Sequence, residues 1–450
     1  MVQTKILENG ITLVVDYDEN NPISTFGMLV KVGSENETKQ TEGVAHFVEH
    51  LMFKSTKTRT TDEIASQVAY LGTENNAYTN RNHTLYYFKS LTENFEESFK
   101  IHADMLQNGV LEKSEVDSER EVVLEEIKRS GDNAIHLLFD QFYEHVYHGH
   151  PCSHPILGSE DVIKNISVED IKKFINKHYV PENMIVSISG GISMQQAEDM
   201  VRQYYPNLFT KHAVPNLQDK TLYDVRVKEK YSVMPKDDKQ VNILVSTKAS
   251  GMQDADYYVQ KLFVYIMGED ASSRLYTTLR EKLGLAYDVS ATQVARMDSG
   301  AFMMYIGTSK DKVSQALVGM RKILVEVAKN GVSETELQKA KNQIKARLLY
   351  QDESLQSIMM SNALDLFNKE QIETKQQYME KIDKITVADI KRFAKRILLE
   401  NEFLVCATGK DVTTKDLKVY ETCMTKKQQT EQQQLQTQSQ EEIEENKQNI

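Results

Sequence analysis

Two histidines bracket a glutamate in the run His46-Phe47-Val48-Glu49-His50. Residues four apart on a helix share a face about one turn apart, so His46 and His50 can both offer imidazole nitrogens to a single metal ion. Glu49 beside them need not be a ligand. A carboxylate in that place can take a proton from a metal-activated water and act as a general base. The order reverses the commoner His-Glu-x-x-His. A helix is expected on independent grounds: Val44, Phe47, Val48 and Leu51 fall at i, i+3, i+4 and i+7 and form an apolar stripe, and the histidines lie off it.

A hydrolytic zinc site wants three protein ligands and an open position for water. Residues 112–129 read as a long helix with a carboxylate-rich face, on which Glu119 and Glu126, two turns apart, lie on one side. Spacing alone does not choose Glu126 over Glu125, Glu121 or Glu115. A glutamate-rich helix is also, in general, a solvated face carrying pairs with Lys and Arg.

His46-x-x-Glu49-His50, followed by Glu126 within Glu119-Arg-Glu-Val-Val-Leu-Glu-Glu126-Ile, resembles the pitrilysin/insulinase family of zinc metallopeptidases, in its branch of short subunits that includes the mitochondrial processing peptidase β subunit and bacterial relatives. The resemblance implies that His46, His50 and Glu126 hold one zinc per chain, that Glu49 is the base, and that Glu119 supports the site. Leu71-Gly72 through Asn76-Ala77-Tyr78-Thr79, then His83 to Tyr87, is similar to the family's substrate-side strand, although the family usually has Gly-Gly where Leu71-Gly72 stands. By that likeness Asn76 and Ala77 mark a strand that pairs with an extended peptide through its backbone. Arg280 and Tyr287, seven apart in Arg280-Glu-Lys-Leu-Gly284-Leu-Ala-Tyr287, match a family pair that reaches the substrate and its reacting carbonyl. An Arg and a phenol are suitable donors to a developing oxyanion.

Composition narrows the remaining classes. The 450 residues suffice for two domains, and the net charge of −12 disfavours nucleic acid as a partner. Three scattered cysteines, Cys152, Cys406 and Cys423, make no disulfide framework and fit a reducing compartment. No long apolar run reads as a membrane span, and the N-terminal residues enter a strand and an Asn-Gly turn directly rather than a targeting segment, so the expected address is cytoplasmic.

The chain also echoes itself. Leu71-Gly72, a strand, a helix to Asn108-Gly109-Val110 and an acidic helix recur loosely as Leu283-Gly284, a strand near 302–307, a helix to Asn330-Gly331-Val332 and another helix. With the resemblance, this predicts an α+β fold of two tandem homologous domains, each a mostly antiparallel sheet covered by helices. The expected limits are a catalytic domain over 1–212, a substrate-facing domain without metal over 222–415, and a disordered Gln/Glu-rich tail over 425–450. The cluster His148-Gly-His150-Pro-Cys152-Ser-His154 is read as a turn rather than a second metal site, given Pro151 and Pro155. The expected activity is zinc-dependent cleavage of unfolded peptides or short protein segments, in a chamber closed by a second copy or a homologous chain. The alternatives are a structural, substrate-holding subunit without catalysis and an oligopeptide-binding protein.

Overall fold

The computed structural model describes residues 2–209, 227–399 and 402–422. The expected join between 212 and 222 and the expected tail from 425 both lie outside the described residues. In the first half β1 (Val2–Ile6), β2 (Thr12–Tyr17), β3 (Ile23–Val30), β4 (Glu74–Thr79), β5 (Thr84–Leu91) and β6 (Met184–Gly190) form one sheet in the order β1-β2-β6-β3-β5-β4. All neighbours are antiparallel except β2 and β6.

Successive side chains of a strand point to opposite faces, and both faces of this sheet are apolar. Leu13, Val15, Phe26, Met28, Tyr86 and Phe88 face one way and pack with α1 (Val44–Leu51), α3 (Phe95–Asn108) and α4 (Lys113–Gly131), while α2 (Thr61–Tyr70) links α1 to β4. Val14, Leu29, Leu85 and Ile185 face the other way and pack with Ala363, from the helix Leu355–Lys369 far along the chain. That helix is tied to the sheet by hydrogen bonds from Ser187 Oγ to the Met359 carbonyl (2.8 Å) and from Thr25 Oγ1 to the Leu355 carbonyl (3.3 Å). Gly27 leaves it room, since a Cβ there would lie 2.2 Å from Met359 Sδ.

The second sheet holds β7 (Tyr231–Pro235), β8 (Gln240–Ala249), β9 (Asp288–Ala295), β10 (Gly300–Ser309) and β11 (Phe403–Gly409) in the order β7-β11-β8-β10-β9. Only β7 and β11 run parallel. With β1 set aside, strand order and strand sense are the same in both sheets, so the loose echo in the sequence is a repeat of topology. The glycines that precede the two edge strands β4 and β9 even share a left-handed backbone, φ +65° at Gly72 and +58° at Gly284.

Two compact units result. The first gathers described residues up to Asp132, those from Gly149 to 209, and Leu348–Glu373; the second takes Asn133–His148, described residues from 227 to Arg347, and those from Thr374 onward. Each unit thus completes itself with a helix from the other half of the chain: Leu355–Lys369 in the first, and α5 (Ala134–Val146), which packs on β8 and β11, in the second. Linear limits of 1–212 and 222–415 do not describe this exchange. Among the described residues no helix is long and apolar enough to cross a membrane.

Candidate metal centre

The helix that carries the His-x-x-Glu-His run begins without a local side-chain cap. Its N-cap is Gly43, at φ +89°, where a Cβ would meet the Leu157 carbonyl at 2.5 Å. Glu37 supplies the missing acceptor from outside, its two carboxylate oxygens each taking a backbone N–H, from Gly43 and from Ala45, at 2.8 Å. Burial pushes the Glu37 carboxyl well above its ordinary pKa, against those two hydrogen bonds. Val44, Phe47, Val48 and Leu51 are all buried, as their stripe requires.

His46 and His50 emerge on the side of α1 that faces α4. His46 Nε2 lies 3.6 Å and His50 Nε2 3.5 Å from Glu126 Oε2. One donor atom from each of the three residues falls within 4.8 Å of the others, the one such group among the described residues. Donors around a tetrahedral zinc, with bonds of roughly 2.0–2.1 Å, sit about 3.4 Å apart, so the imidazole–carboxylate spacings fit the ion. Burial, then the neighbouring His50, push the His46 pKa down to about 3, which keeps its imidazole neutral and available as a ligand.

Glu119 stands on the same face of α4 and holds the His50 ring, Oε1 lying 2.8 Å from Nδ1, while its other oxygen meets the Lys54 ammonium. Burial alone would raise the Glu119 carboxyl, but the hydrogen bonds from Lys54 and His50 outweigh it and hold the pKa below its ordinary value. The competing glutamates are elsewhere. Glu115 accepts from the Ser55 hydroxyl (2.6 Å) and the Thr61 hydroxyl (2.9 Å), Glu125 is exposed and paired with Lys128, and Glu121 is exposed.

Glu49 points toward β4, where Thr79 Oγ1 donates to its Oε2 at 2.6 Å. Burial raises its carboxyl above the ordinary range, partly offset by that bond. β4 is an edge strand. Asn76 and Ala77 stand opposite Tyr87 and Tyr86 of β5, and the Ala77 N–H is taken by Asn76 Oδ1 at 2.8 Å. Arg280 and Tyr287 belong to the second unit, and both are exposed: the Arg280 guanidinium lies 4.9 Å from the Tyr276 ring centre, and Tyr287 is 61% exposed.

Residues 12–160 match the insulinase model of peptidase family M16, and residues 165–344 match the M16 inactive-domain model. A Rickettsia bellii protein named as an uncharacterized zinc protease is 31% identical over 87% of this chain and 93% of its own length. The chain belongs to peptidase family M16. Within M16, the mitochondrial-processing peptidase β subunit of Neurospora crassa is 26% identical over 90% of this chain and 87% of its own. The crystal structure of a Helicobacter pylori protease superposes with a TM-score of 0.81 at 26% identity, covering 91% of this chain and 99% of that one. An M16 inactive-domain structure from Pseudomonas fluorescens shares the fold, with a TM-score of 0.82 at 19% identity over 92% of this chain and 99% of its own.

Three contacts at this M16 centre escape the periodicities of the sequence: Glu37 on the start of α1, Thr79 on Glu49, and Lys54 on Glu119. Each joins residues across a loop or between elements, and only the short separation from Glu37 to Gly43 offers a local clue. The His148–His154 cluster forms a turn, in which His150 Nδ1 accepts the Cys152 N–H at 2.9 Å and Pro151–Ser153 make one 3₁₀ turn. Cys152 and Cys406 are buried and are not joined in a disulfide.

Proposed function

We propose that the chain is a zinc-dependent endopeptidase acting on unfolded peptides or short protein segments. The observation that carries this reading is the convergence of His46, His50 and Glu126 beside Glu49 and the open edge of β4. When bound, zinc would polarise the scissile carbonyl and make an attacking water more acidic. His46 and His50, each through Nε2, and Glu126 through its carboxylate would hold the ion. Glu49 takes the proton from the water and returns it to the leaving amine, and its raised pKa makes it a stronger base than a solvated carboxylate. The edge at Asn76 and Ala77 pairs with an extended segment through backbone hydrogen bonds, which gives affinity with little regard to side chains and excludes folded substrates.

Arg280 and Tyr287 complete the reading as donors to the developing oxyanion, contributed by a second chain. The support is the likeness to a family whose long members join four domains in one chain, whereas this chain carries two sheets of one topology. Cys152 and Cys406, buried and outside any disulfide, fit a reducing compartment such as the cytosol. The test is metal content of the purified protein together with hydrolysis of a fluorescent peptide. About one zinc per chain is expected, and Glu49→Gln should keep the zinc while losing at least about 10²-fold in rate. A zinc-free, inactive protein would instead favour a structural subunit.

A further inference from the structure

We propose that Lys54 is a positioning residue of the metal centre: its ammonium anchors one oxygen of Glu119, whose other oxygen holds His50 by Nδ1 and so aims Nε2 at the ion. The inference rests on the zinc reading above and extends its machinery by one residue. Lys54 follows α1, yet the backbone goes on winding: the N–H groups of Met52, Phe53 and Lys54 return to the carbonyls of Val48 (3.0 Å), His50 (3.2 Å) and Leu51 (3.2 Å). Lys54 therefore comes four residues after His50 on nearly helical backbone, and the two side chains rise on one side. The following residue is also fixed, with the Ser55 hydroxyl on Glu115 and the Ser55 carbonyl accepting the Val110 N–H at 3.1 Å. The lysine is thus delivered to Glu119 by a segment held at both ends.

A carboxylate has two oxygens, and here each has its own donor: the imidazole Nδ1–H on Oε1 and the ammonium on Oε2. The Glu119 side chain is only 10% exposed and that of Lys54 26%, so the pair is screened less than a surface ion pair. Taking the ammonium away leaves a buried oxygen that must find water or another donor by rotating the carboxyl, and that rotation releases His50. The consequence is larger because the other histidine has no such support: among the described residues, buried His46 Nδ1 has no hydrogen-bond partner. Orientation of the His50 imidazole then depends on the chain Lys54–Glu119–His50. Outer partners of metal-ligating histidines are typically worth 10–100-fold in metal affinity.

The experiment is zinc affinity, measured by competition with a chromophoric chelator, for wild type, Lys54→Arg, Lys54→Met, Glu119→Gln and the Lys54→Met/Glu119→Gln double variant, with the absorption spectrum of each cobalt-substituted protein as a second readout. Lys54→Met should weaken zinc by about tenfold and alter the cobalt bands, near the lower end of the range for such partners. Lys54→Arg should restore affinity to within about threefold, since it keeps the charge at similar reach. The double variant should bind no more weakly than Glu119→Gln alone, because without the carboxylate the lysine has nothing to anchor. Wild-type affinity and spectrum in Lys54→Met, additive losses in the double variant, or failure of Lys54→Arg to restore would each overturn the proposal while leaving the zinc reading intact. A wild-type protein that takes up no zinc would overturn both.

Discussion

Glu115, Glu119 and Glu126 share one face of α4 yet do three different jobs, because each has different neighbours: two hydroxyls, an imidazole with an ammonium, and the pair of Nε2 atoms that would share a metal ion with Glu126. Glu126→Gln and His50→Ala should therefore each lose more than about 10²-fold in zinc affinity, whereas Glu115→Gln should keep its zinc. Elemental analysis after dialysis decides it, and full retention by Glu126→Gln would move the third ligand elsewhere. The helical face was legible in the spacing; the assignment of carboxylates to partners was not, because those partners sit on α1, on the loop after it and at the start of α2. A second residue-scale effect concerns His102, buried among Phe26, Tyr86 and Phe88 with Nδ1 3.2 Å from the Tyr205 hydroxyl. Burial pushes its pKa down to about 3 from an ordinary 6.5. Below pH 6.5 the unfolded chain binds a proton that the folded one refuses, so stability falls as pH drops toward 3, by up to about 1.4 kcal/mol per pH unit from this group. His83 and His178, each pushed down to about 4 by burial, act in the same direction. Urea midpoints between pH 7.5 and 5 should fall for the wild type and fall less steeply for His102→Phe; equal slopes would refute the assignment.

At the scale of elements, α1 was readable from its stripe, but its beginning was not. Sequence rules look for a cap at the residue before the helix, and here that residue is Gly43, while the acceptor is Glu37, brought back by a loop. Gly43→Ala would force a Cβ into the left-handed region and against the Leu157 carbonyl. It should cost at least about 2 kcal/mol in a urea titration and lower zinc affinity with it, since His46 lies in the first turn. An alanine variant with wild-type stability would mean that the Gly43 conformation is not required. The sheet echo was visible as glycines and Asn-Gly-Val punctuation, whose spacing varied too much to give strand order. That order is set by cross-strand pairs, which are long-range and leave no local mark.

For the whole molecule, the sequence conveyed two related halves but not the exchange of helices between the units, because a helix covering its own half and one covering the other half look alike in composition. The two-chain reading makes a prediction at this scale. Glu49→Gln and Arg280→Ala should each be nearly inactive alone. Mixed in equal amounts after subunit exchange, they should recover up to about a quarter of wild-type activity, since half of randomly formed dimers are mixed and each has one competent site. A mixture that stays inactive despite proven exchange, or an active species that sediments as a monomer, would exclude donation in trans.

The helix Leu355–Lys369 has a consequence for synthesis. Until it leaves the ribosome, the face of the first sheet bearing Val14, Leu29, Leu85 and Ile185 has no cover, although all of its strands were translated by residue 190. At roughly 5–20 residues per second, the nascent chain spends several seconds or more with that surface open, a window in which chaperones would be needed and aggregation competes. A truncated chain ending at residue 209 should accordingly be insoluble or bind a hydrophobic dye, and co-expressing residues 348–373 should rescue it; a soluble, dye-silent truncation would show that the first unit can close without its late helix.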